Sequence, residues 1–196
     1  YQGAADCVID FSNHAATAGL LAYCTARKLP VVIATTGQTE EERAQIAQAA
    51  AEIPIFFPAN MSIGIAVLGD LAKKAAAAFP QADIEIIEAH HNQKLDVPSG
   101  TALLLAHQIQ QVRQDSTLLI GRHENGRRTA QEIGIHSLRF GAEVGMHEIL
   151  ISTGSETLTL KHKAESRSLF ADGALKAAAF LSGKPAGLYT MQDLVV

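Results

Sequence analysis

The chain lacks tryptophan, and aromatic residues make up only 5% of its 196 positions. Proteins that bind single-stranded nucleic acids stack the bases on aromatic side chains, so this function has little support. The net charge of -4 also argues against a basic nucleic-acid-binding surface. No apolar run reaches the roughly 18 residues of a membrane-spanning helix, and the first residues carry no signal-peptide core. We therefore predict a soluble, cytoplasmic protein that binds neither nucleic acid nor membrane.

Cysteine is also scarce, with Cys7 and Cys24 as the two residues of this type. Two cysteines at this spacing match neither a metal-binding motif nor the disulfide framework of a small secreted protein. Cysteines without such a role behave as small buried apolar side chains. We therefore expect both to be buried, and we predict no metal site.

The glycine-rich turn of a dinucleotide-binding unit is missing as well. Such a unit begins with a strand followed by a Gly-x-Gly-x-x-Gly turn at the start of a helix, and no such turn occurs near Tyr1. Gly64 and Gly69 fall within a predicted helix, where a pair of glycines favours close helix packing. We therefore expect that the polypeptide is truncated and begins inside a longer fold.

The chain does contain enough apolar sequence for a packed core, with 47% hydrophobic and 18% charged residues. Its first part alternates short strands (5–11, 31–36 and 55–57) with helices that end near 28 and 51. This alternation predicts a parallel sheet with helices on both faces. Ligands bind at the carboxyl ends of the strands in such a sheet, although ordinary turns would give similar sequences. The candidate loops are 12–14, 35–37 and 59–62.

The rest of the chain mixes longer strands with helices. The predicted helices span 62–79, 101–112 and 169–181, and the predicted strands span 84–89, 133–140, 143–152 and 157–163. The turn-forming residues 153–156 predict a hairpin between the last two strands. We therefore predict an α/β fold with two parts: an incomplete Rossmann-like parallel-sheet domain and an α+β mixed-sheet domain.

The richest concentration of chemical groups lies between Glu88 and Ala102, in a loop between a strand and a helix. Histidine can donate or accept a proton near neutral pH, and two histidines, His90 and His91, are adjacent here. Lys94 follows within reach of the same pocket and can hold a carboxylate or donate a proton. Residues 99–101 (Ser-Gly-Thr) begin the helix, where backbone N–H groups bind anions. Together these groups suit a small anionic substrate that is protonated during the reaction.

Other interpretations of this loop are weaker but remain open. His90 and His91 would point to opposite sides of a strand, so one of them could be a packing group. A zinc site would need further ligands, and no cysteine lies near. Ser99 is a poor candidate for a hydrolase nucleophile because the Gly-x-Ser-x-Gly motif is absent and Pro98 precedes it.

The string of residues 88–102 closely resembles the signature of the dihydrodipicolinate reductase family (4-hydroxy-tetrahydrodipicolinate reductase) of lysine and diaminopimelate synthesis. The resemblance covers nearly the whole chain. It includes residues 8–12, the loops 35–37 and 59–62, the segment 163–167 with Phe170, and the ending 181–189 with Met191. The front of the chain departs from the family, because the glycine-rich turn and the residues that select NADH or NADPH have no counterpart.

The resemblance implies a role for each matching residue. His90 is implied as the general acid/base, and Lys94 as the donor of the proton that accompanies hydride transfer. The dicarboxylate substrate would be bound by His91, Ser99, Gly100 and Thr101. The cofactor, NADH or NADPH, would contact Thr35, Thr36, Gly37, Ala59, Asn60 and Met61, with Arg167 and Phe170 approaching from the second domain.

The resemblance also implies a domain plan and an assembly. Residues 1–60 would be the remainder of the dinucleotide-binding domain, with 171–196 packing back on it. Residues 61–170 would bind the substrate and build a homotetramer through the long strands. The implied activity is NAD(P)H-dependent reduction of 4-hydroxy-tetrahydrodipicolinate.

Two alternatives stay open: a catalytically incomplete binding or assembly module without the glycine-rich cofactor loop, and a metal-dependent hydrolase that uses His90 and His91.

Overall fold

A computed structural model describes residues 2–195 of the chain. Tyr1 and Val196, at the ends of the predicted domains, lie outside the described residues. The chain divides into two compact units. Unit 1 comprises Tyr1–Ile63 and Ser168–Val196, and unit 2 comprises Gly64–Arg167. The predicted domain limits, after residues 60 and 170, lie close to these divisions.

Strands and helices alternate along most of the chain. In chain order, the strands are β1 (Val8–Asp10), β2 (Val31–Ile33), β3 (Pro54–Phe56), β4 (Asp83–His90), β5 (Thr117–Ile120), β6 (Glu132–Arg139), β7 (Gly145–Ser152), β8 (Thr157–Ala164) and β9 (Gly187–Tyr189). The helices are α1 (Thr17–Ala26), α2 (Glu40–Ala49), α3 (Ile63–Ala78), α4 (Gly100–Gln110), α5 (Ser168–Leu181) and α6 (Met191–Val195), with a 3₁₀ turn at His14–Ala16. Across the described part of the chain, no helix is long and apolar enough to cross a membrane.

Unit 1 contains a four-stranded parallel sheet in the order β1-β2-β3-β9. Both faces are apolar. Val31 and Ile33 of β2 pack with residues of α1 and α2, such as Leu21 and Ile46, on one face. Phe56 of β3 points to the other face and meets the Phe180 ring of α5 edge-on at 6.0 Å. The prediction of a parallel sheet with helices on both faces is therefore confirmed.

Local sequence signals explain the start of α2. The Thr39 hydroxyl accepts a hydrogen bond from the Glu42 N–H, and the Glu42 carboxylate accepts one from the Thr39 N–H. This reciprocal capping box follows from the spacing of the two residues.

The cysteines differ from expectation in part, because Cys24 is buried but Cys7 is only half-buried beside β1.

Unit 2 contains a five-stranded mixed sheet in the order β5-β6-β4-β7-β8. Strand β4 lies at its centre, parallel to β6 and antiparallel to β7. The side chains of β4 that point to one face include Ile84 and Ile86, which pack with residues of α3 and α4 such as Leu68 and Leu105. Helices α3 and α4 therefore cover this face of the sheet, which we call the helix-covered face, and the predicted mixed sheet is confirmed.

Candidate active site

The candidate site begins where the helix-covered face changes from apolar to polar. Alternate residues of a strand point to the same side, so Glu88 and His90 follow Ile84 and Ile86 on this face. The first two residues are isoleucines in the core, whereas the last two are ionisable groups at the carboxyl end of β4. Strand β4 thus contributes apolar side chains to the core from its first half and ionisable side chains to the candidate site from its carboxyl end.

Glu88 is fully buried and makes four hydrogen bonds. It accepts two from the Arg139 guanidinium, at 2.7 and 2.8 Å, and one from the Ser99 N–H at 3.2 Å. The fourth joins it to Nδ1 of His90 at 2.6 Å. Burial alone would raise the pKa of Glu88, but the hydrogen bonds from His90 and Arg139 outweigh burial and hold the pKa well below its usual range. Glu88 is therefore a carboxylate at neutral pH.

His147, on the neighbouring strand β7, is the register partner of Glu88 and is 4% exposed. Its Nε2 lies 3.1 Å from the Ser99 hydroxyl, and its ring stands edge-on to the His90 ring at 5.2 Å. Burial, followed by the nearby charge of His90, lowers the pKa of His147 from 6.5 to about 3. The His147 ring is therefore neutral at physiological pH.

The loop after β4 carries Lys94 and His91, two of the predicted site residues. The Lys94 ammonium lies 2.8 Å from Asp96, and this hydrogen bond lowers the pKa of the Asp96 carboxyl. His91 is half-buried, and Nε2 of its ring lies 3.4 Å from the Arg167 guanidinium. The structure therefore places Arg167, predicted to contact the cofactor, beside His91, predicted to bind the substrate.

Ser99 caps the N-terminus of α4, accepting a hydrogen bond from the Ala102 N–H at 3.1 Å. It is 2% exposed, and its own N–H is bonded to Glu88. Gly100 and Thr101 occupy the first two positions of the helix, and Gly100 is exposed. The first N–H groups of a helix have no partner within the helix and favour anions. Ser99 therefore acts in this structure as the cap of the helix terminus at which the anion site is predicted.

Unit 1 has its own cavity, of about 450 Å³, at the carboxyl ends of β2 and β3. Four of the predicted cofactor-contacting residues line it: Thr35, Thr36, Gly37 and Ala59. Arg43 and Phe57 also line it, with the guanidinium 5.5 Å from the centre of the ring. The wall therefore combines polar loop residues with an aromatic ring and a cation.

Three other residues that were predicted to contact the cofactor, Asn60, Met61 and Phe170, are not among those that line this cavity. Met61 is buried at 5% exposure, and Asn60 accepts a hydrogen bond from the Ser62 N–H through its side chain. Phe170 is half-buried in α5, which belongs to unit 1, although the prediction placed it in the second domain. Helix α5 passes directly over the backbone carbonyl of Met61 at Gly173.

Sequence reasoning did not single out three residues of these sites: Arg139, His147 and Arg43. The sequence contained a partial signal for the cluster around Glu88, because Glu88 and His90 are two residues apart on a strand and must share a face. Among residues 2–195, no group of three or more His, Cys, Asp or Glu side chains is arranged to hold a metal ion.

A parallel sheet with a cavity at its strand ends, together with a mixed sheet that carries an acid-base cluster, defines a two-unit α/β protein of the enzyme class. Comparison with known families is more specific. Residues 1–61 match the family described as "Dihydrodipicolinate reductase, N-terminus", and residues 64–195 match "Dihydrodipicolinate reductase, C-terminus". The chain belongs to the dihydrodipicolinate reductase family.

Individual relatives agree with this family membership. The chain is 51% identical over 193 residues to the 4-hydroxy-tetrahydrodipicolinate reductase of Caldanaerobacter subterraneus subsp. tengcongensis, covering 97% of this chain and 77% of the relative. It is 48% identical to the enzyme of the same name from Clostridium tetani, with 97% and 75% covered. A solved structure of dipicolinate-bound dihydrodipicolinate reductase from Paenisporosarcina sp. TG-14 superposes with a TM-score of 0.80 at 28% identity, covering 97% and 74%.

Proposed function

We propose that this protein catalyses the NAD(P)H-dependent reduction of 4-hydroxy-tetrahydrodipicolinate to tetrahydrodipicolinate in lysine and diaminopimelate synthesis. Relatives that share about half of its residues carry the name of this enzyme. The structural observation that carries the proposal is the cluster at the end of β4. There the buried Glu88 carboxylate is bonded to His90 and to the N–H of Ser99, the residue that caps α4, and Lys94 lies in the loop between the strand and the helix. No observation favours the alternative of a non-catalytic binding or assembly module.

The cavity of unit 1 fits part of a nicotinamide dinucleotide. Its position at the carboxyl ends of parallel strands is typical of nucleotide sites. The residues that would hold the cofactor there are Thr35, Thr36, Gly37 and Ala59, while Asn60, Met61, Arg167 and Phe170 remain predicted contacts. The cofactor supplies a hydride when it is bound. Both NADH and NADPH stay candidates.

The residues of unit 2 would supply protons and bind the substrate. In this proposal His90 is the general acid/base, and Lys94 donates the proton that accompanies reduction. Lys94 suits this role because its ammonium is held in the loop between β4 and α4 by an ion pair with Asp96, whose side chain is largely exposed. The proton donor is therefore oriented by a partner at the surface of the loop.

The substrate carries two carboxylates, and two groups of donors match them. The N-terminus of α4 at Gly100 and Thr101 favours one anion, and the Arg167 guanidinium beside His91 provides cationic donors for another. Ser99 holds the helix start in place through its capping hydrogen bond. We thus assign dicarboxylate binding to His91, Ser99, Gly100 and Thr101. We add Arg167 to this set because its guanidinium lies beside His91.

A homotetramer in the cytoplasm completes the proposal. The face of the mixed sheet opposite to the helix-covered face carries Leu138, which is 47% exposed, and Leu150, which is partly exposed. Exposed leucines on a regular sheet surface favour association with other subunits. We propose that the tetramer forms through this second face of the sheet.

The activity is tested by assaying the reductase reaction with NADH and with NADPH, for the parent chain and for His90→Ala and Lys94→Ala. Loss of general acid/base function typically lowers turnover by about 100- to 10,000-fold. We expect losses of this size in both variants. Lys74→Ala serves as the matched control, since Lys74 is an exposed lysine on α3 of the same unit.

Turnover in both variants close to that of the parent chain would refute the assigned roles. Titration with NADH and NADPH separates the enzyme from the binding-module alternative. Micromolar binding supports the enzyme, whereas a chain that binds dipicolinate but neither nucleotide supports the module. The same titration shows which nucleotide is preferred.

A further inference from the structure

We propose that Glu88 is a positioning residue that fixes the orientation and tautomer of His90. In this arrangement the hydrogen of the neutral His90 ring is on Nδ1, and Nε2 is the nitrogen that exchanges a proton with the substrate. Gly145 keeps the approach to Nε2 open. The catalytic consequence rests on the proposed function, whereas the tautomer is a property of the protein alone.

The first step is to account for the hydrogen bonds of Glu88. An ionised carboxylate has about four acceptor sites, two on each oxygen. Oε1 accepts from the Ser99 N–H and from one nitrogen of Arg139, and Oε2 accepts from the other nitrogen of Arg139. The remaining position on Oε2 faces Nδ1 of His90 at 2.6 Å. Since every other partner is a donor and Glu88 is ionised, the hydrogen of this fourth bond belongs to Nδ1.

The second step concerns rigidity. Glu88 is fully buried, and its carboxylate is held at both oxygens by the planar guanidinium of Arg139. Arg139 is itself anchored by hydrogen bonds to the carbonyl oxygens of Asp96 and Leu138. It lies on β6 as the register partner of His90. The orientation of the His90 ring is therefore set by two strands and by the loop that precedes α4.

The third step concerns the opposite edge of the ring. Gly145 begins β7, and a Cβ atom placed there would lie 3.1 Å from Nε2 of His90 and 3.4 Å from Cδ2. Contacts at 3.1 Å are tighter than ordinary van der Waals packing, so any side chain at this position would press on the proton-exchanging nitrogen. Glycine leaves that space open while β7 keeps its pairing with β8.

The direct test is nitrogen-15 NMR of the parent protein labelled at its histidines, recorded at a pH where the imidazoles are neutral. Long-range proton–nitrogen correlations distinguish the two tautomers, and the signals of His90 are identified by their loss in His90→Gln. We expect the hydrogen on Nδ1. A neutral ring with the hydrogen on Nε2 would overturn the proposal, whatever the activity of the protein.

Glu88→Gln provides the functional test. A carboxamide has one acceptor oxygen and one donor nitrogen, so it cannot satisfy all four donors around it. We expect the Nε2–H tautomer to become populated and kcat to fall by about 10- to 100-fold, the loss typical when the orienting partner of a metal-binding histidine is removed. The Kd of dipicolinate should stay within about threefold of the parent value. Unchanged kcat in a folded Glu88→Gln protein would refute the positioning role.

Two further variants keep the proposal testable if Glu88→Gln does not fold. Glu88→Asp retains the charge and should recover part of the lost kcat. Gly145→Ala should preserve the Nδ1–H tautomer but lower kcat, because the added methyl group presses on Nε2. Retention of full kcat in Gly145→Ala would contradict the proposal that Gly145 keeps the approach to Nε2 of His90 open. An inactive parent protein that shows the Nδ1–H tautomer would refute the proposed function and leave the tautomer intact.

Discussion

At the scale of single residues, His147 illustrates how burial changes an ionisable group. The ring lies among Glu88, His90 and Ser99, with Nε2 bonded to the Ser99 hydroxyl. Nδ1 of His147 has no hydrogen-bond partner within residues 2–195. A second proton would therefore charge a ring that water does not reach, so the interior favours the neutral form.

This environment predicts a pH dependence of stability. The pKa of His147 is about 3 in the folded state and about 6.5 when the chain is unfolded. Below pH 6.5 the unfolded chain binds a proton at this residue while the folded chain does not, so stability falls as the pH decreases toward 3. Between pH 7 and pH 5 the loss amounts to about 2 kcal/mol.

Urea denaturation of the parent chain and of His147→Gln at pH 7 and pH 5 measures this effect. Glutamine cannot be protonated, and its amide can replace the bond to Ser99, so the variant should lose about 2 kcal/mol less than the parent chain over this interval. His123→Gln is the control, since the His123 side chain is 80% exposed. Equal losses in His147→Gln and the parent chain would show that His147 titrates normally.

The same residue scale shows what the sequence could predict of the site. His90, His91, Lys94 and Ser99 lie within ten positions, so a local motif was sufficient to bring them together. Arg139 is 51 positions from Glu88, and His147 is 48 positions from Ser99. Their contacts depend on the pairing of β6 and β7 with β4, which joins segments that are far apart in the sequence.

At the scale of elements, α5 crosses the chain at Met61 with no space for a side chain. A Cβ atom at Gly173 would lie 1.9 Å from the carbonyl oxygen of Met61. Gly173 is also buried in the middle of the helix. The helix can therefore pack at this distance only with glycine at the crossing point.

Gly173→Ala should accordingly destabilise unit 1. Overpacking of this kind typically costs about 1–3 kcal/mol, even though alanine favours helix formation over glycine by about 1 kcal/mol. Gly19→Ala in α1 is the matched control, because no atom lies within 4 Å of a Cβ placed there. Thermal denaturation should show a lower Tm for Gly173→Ala and an equal or higher Tm for Gly19→Ala. A higher Tm for both variants would mean that α5 does not pack against Met61 in this way.

The longer elements were predictable from their periodicity, and β1, β2 and β3 from short apolar runs between turn-forming residues. The predicted helices and long strands are present, with ends that differ by a few residues. Strands β5 and β9 and the short helix α6 were not predicted, although β1, β2 and β3 are no longer than these elements. The place of β9 beside β3 depends on the return of the chain through α5, which is a tertiary feature.

At the scale of the whole molecule, the two units have different sheets and different cores. Unit 1 is built on a parallel sheet and includes the last segment of the chain, whereas unit 2 is a continuous segment on a mixed sheet. The family match divides the chain differently, since its C-terminal part spans residues 64–195 and includes α5, β9 and α6. Sequence-based families therefore need not coincide with compact structural units.

The proposed tetramer gives a prediction for the whole molecule. If the second face of the mixed sheet joins subunits, Leu138→Glu should place a charge in each contact, and burying an unpaired charge is unfavourable. Sedimentation velocity should show a tetramer for the parent chain and smaller species for Leu138→Glu at the same concentration. Leu71→Glu on α3 is the matched control, since Leu71 is 48% exposed and Leu138 is 47% exposed. A Leu138→Glu protein that sediments as the parent tetramer would place the subunit contact elsewhere, and a monomeric parent chain would refute the tetramer itself.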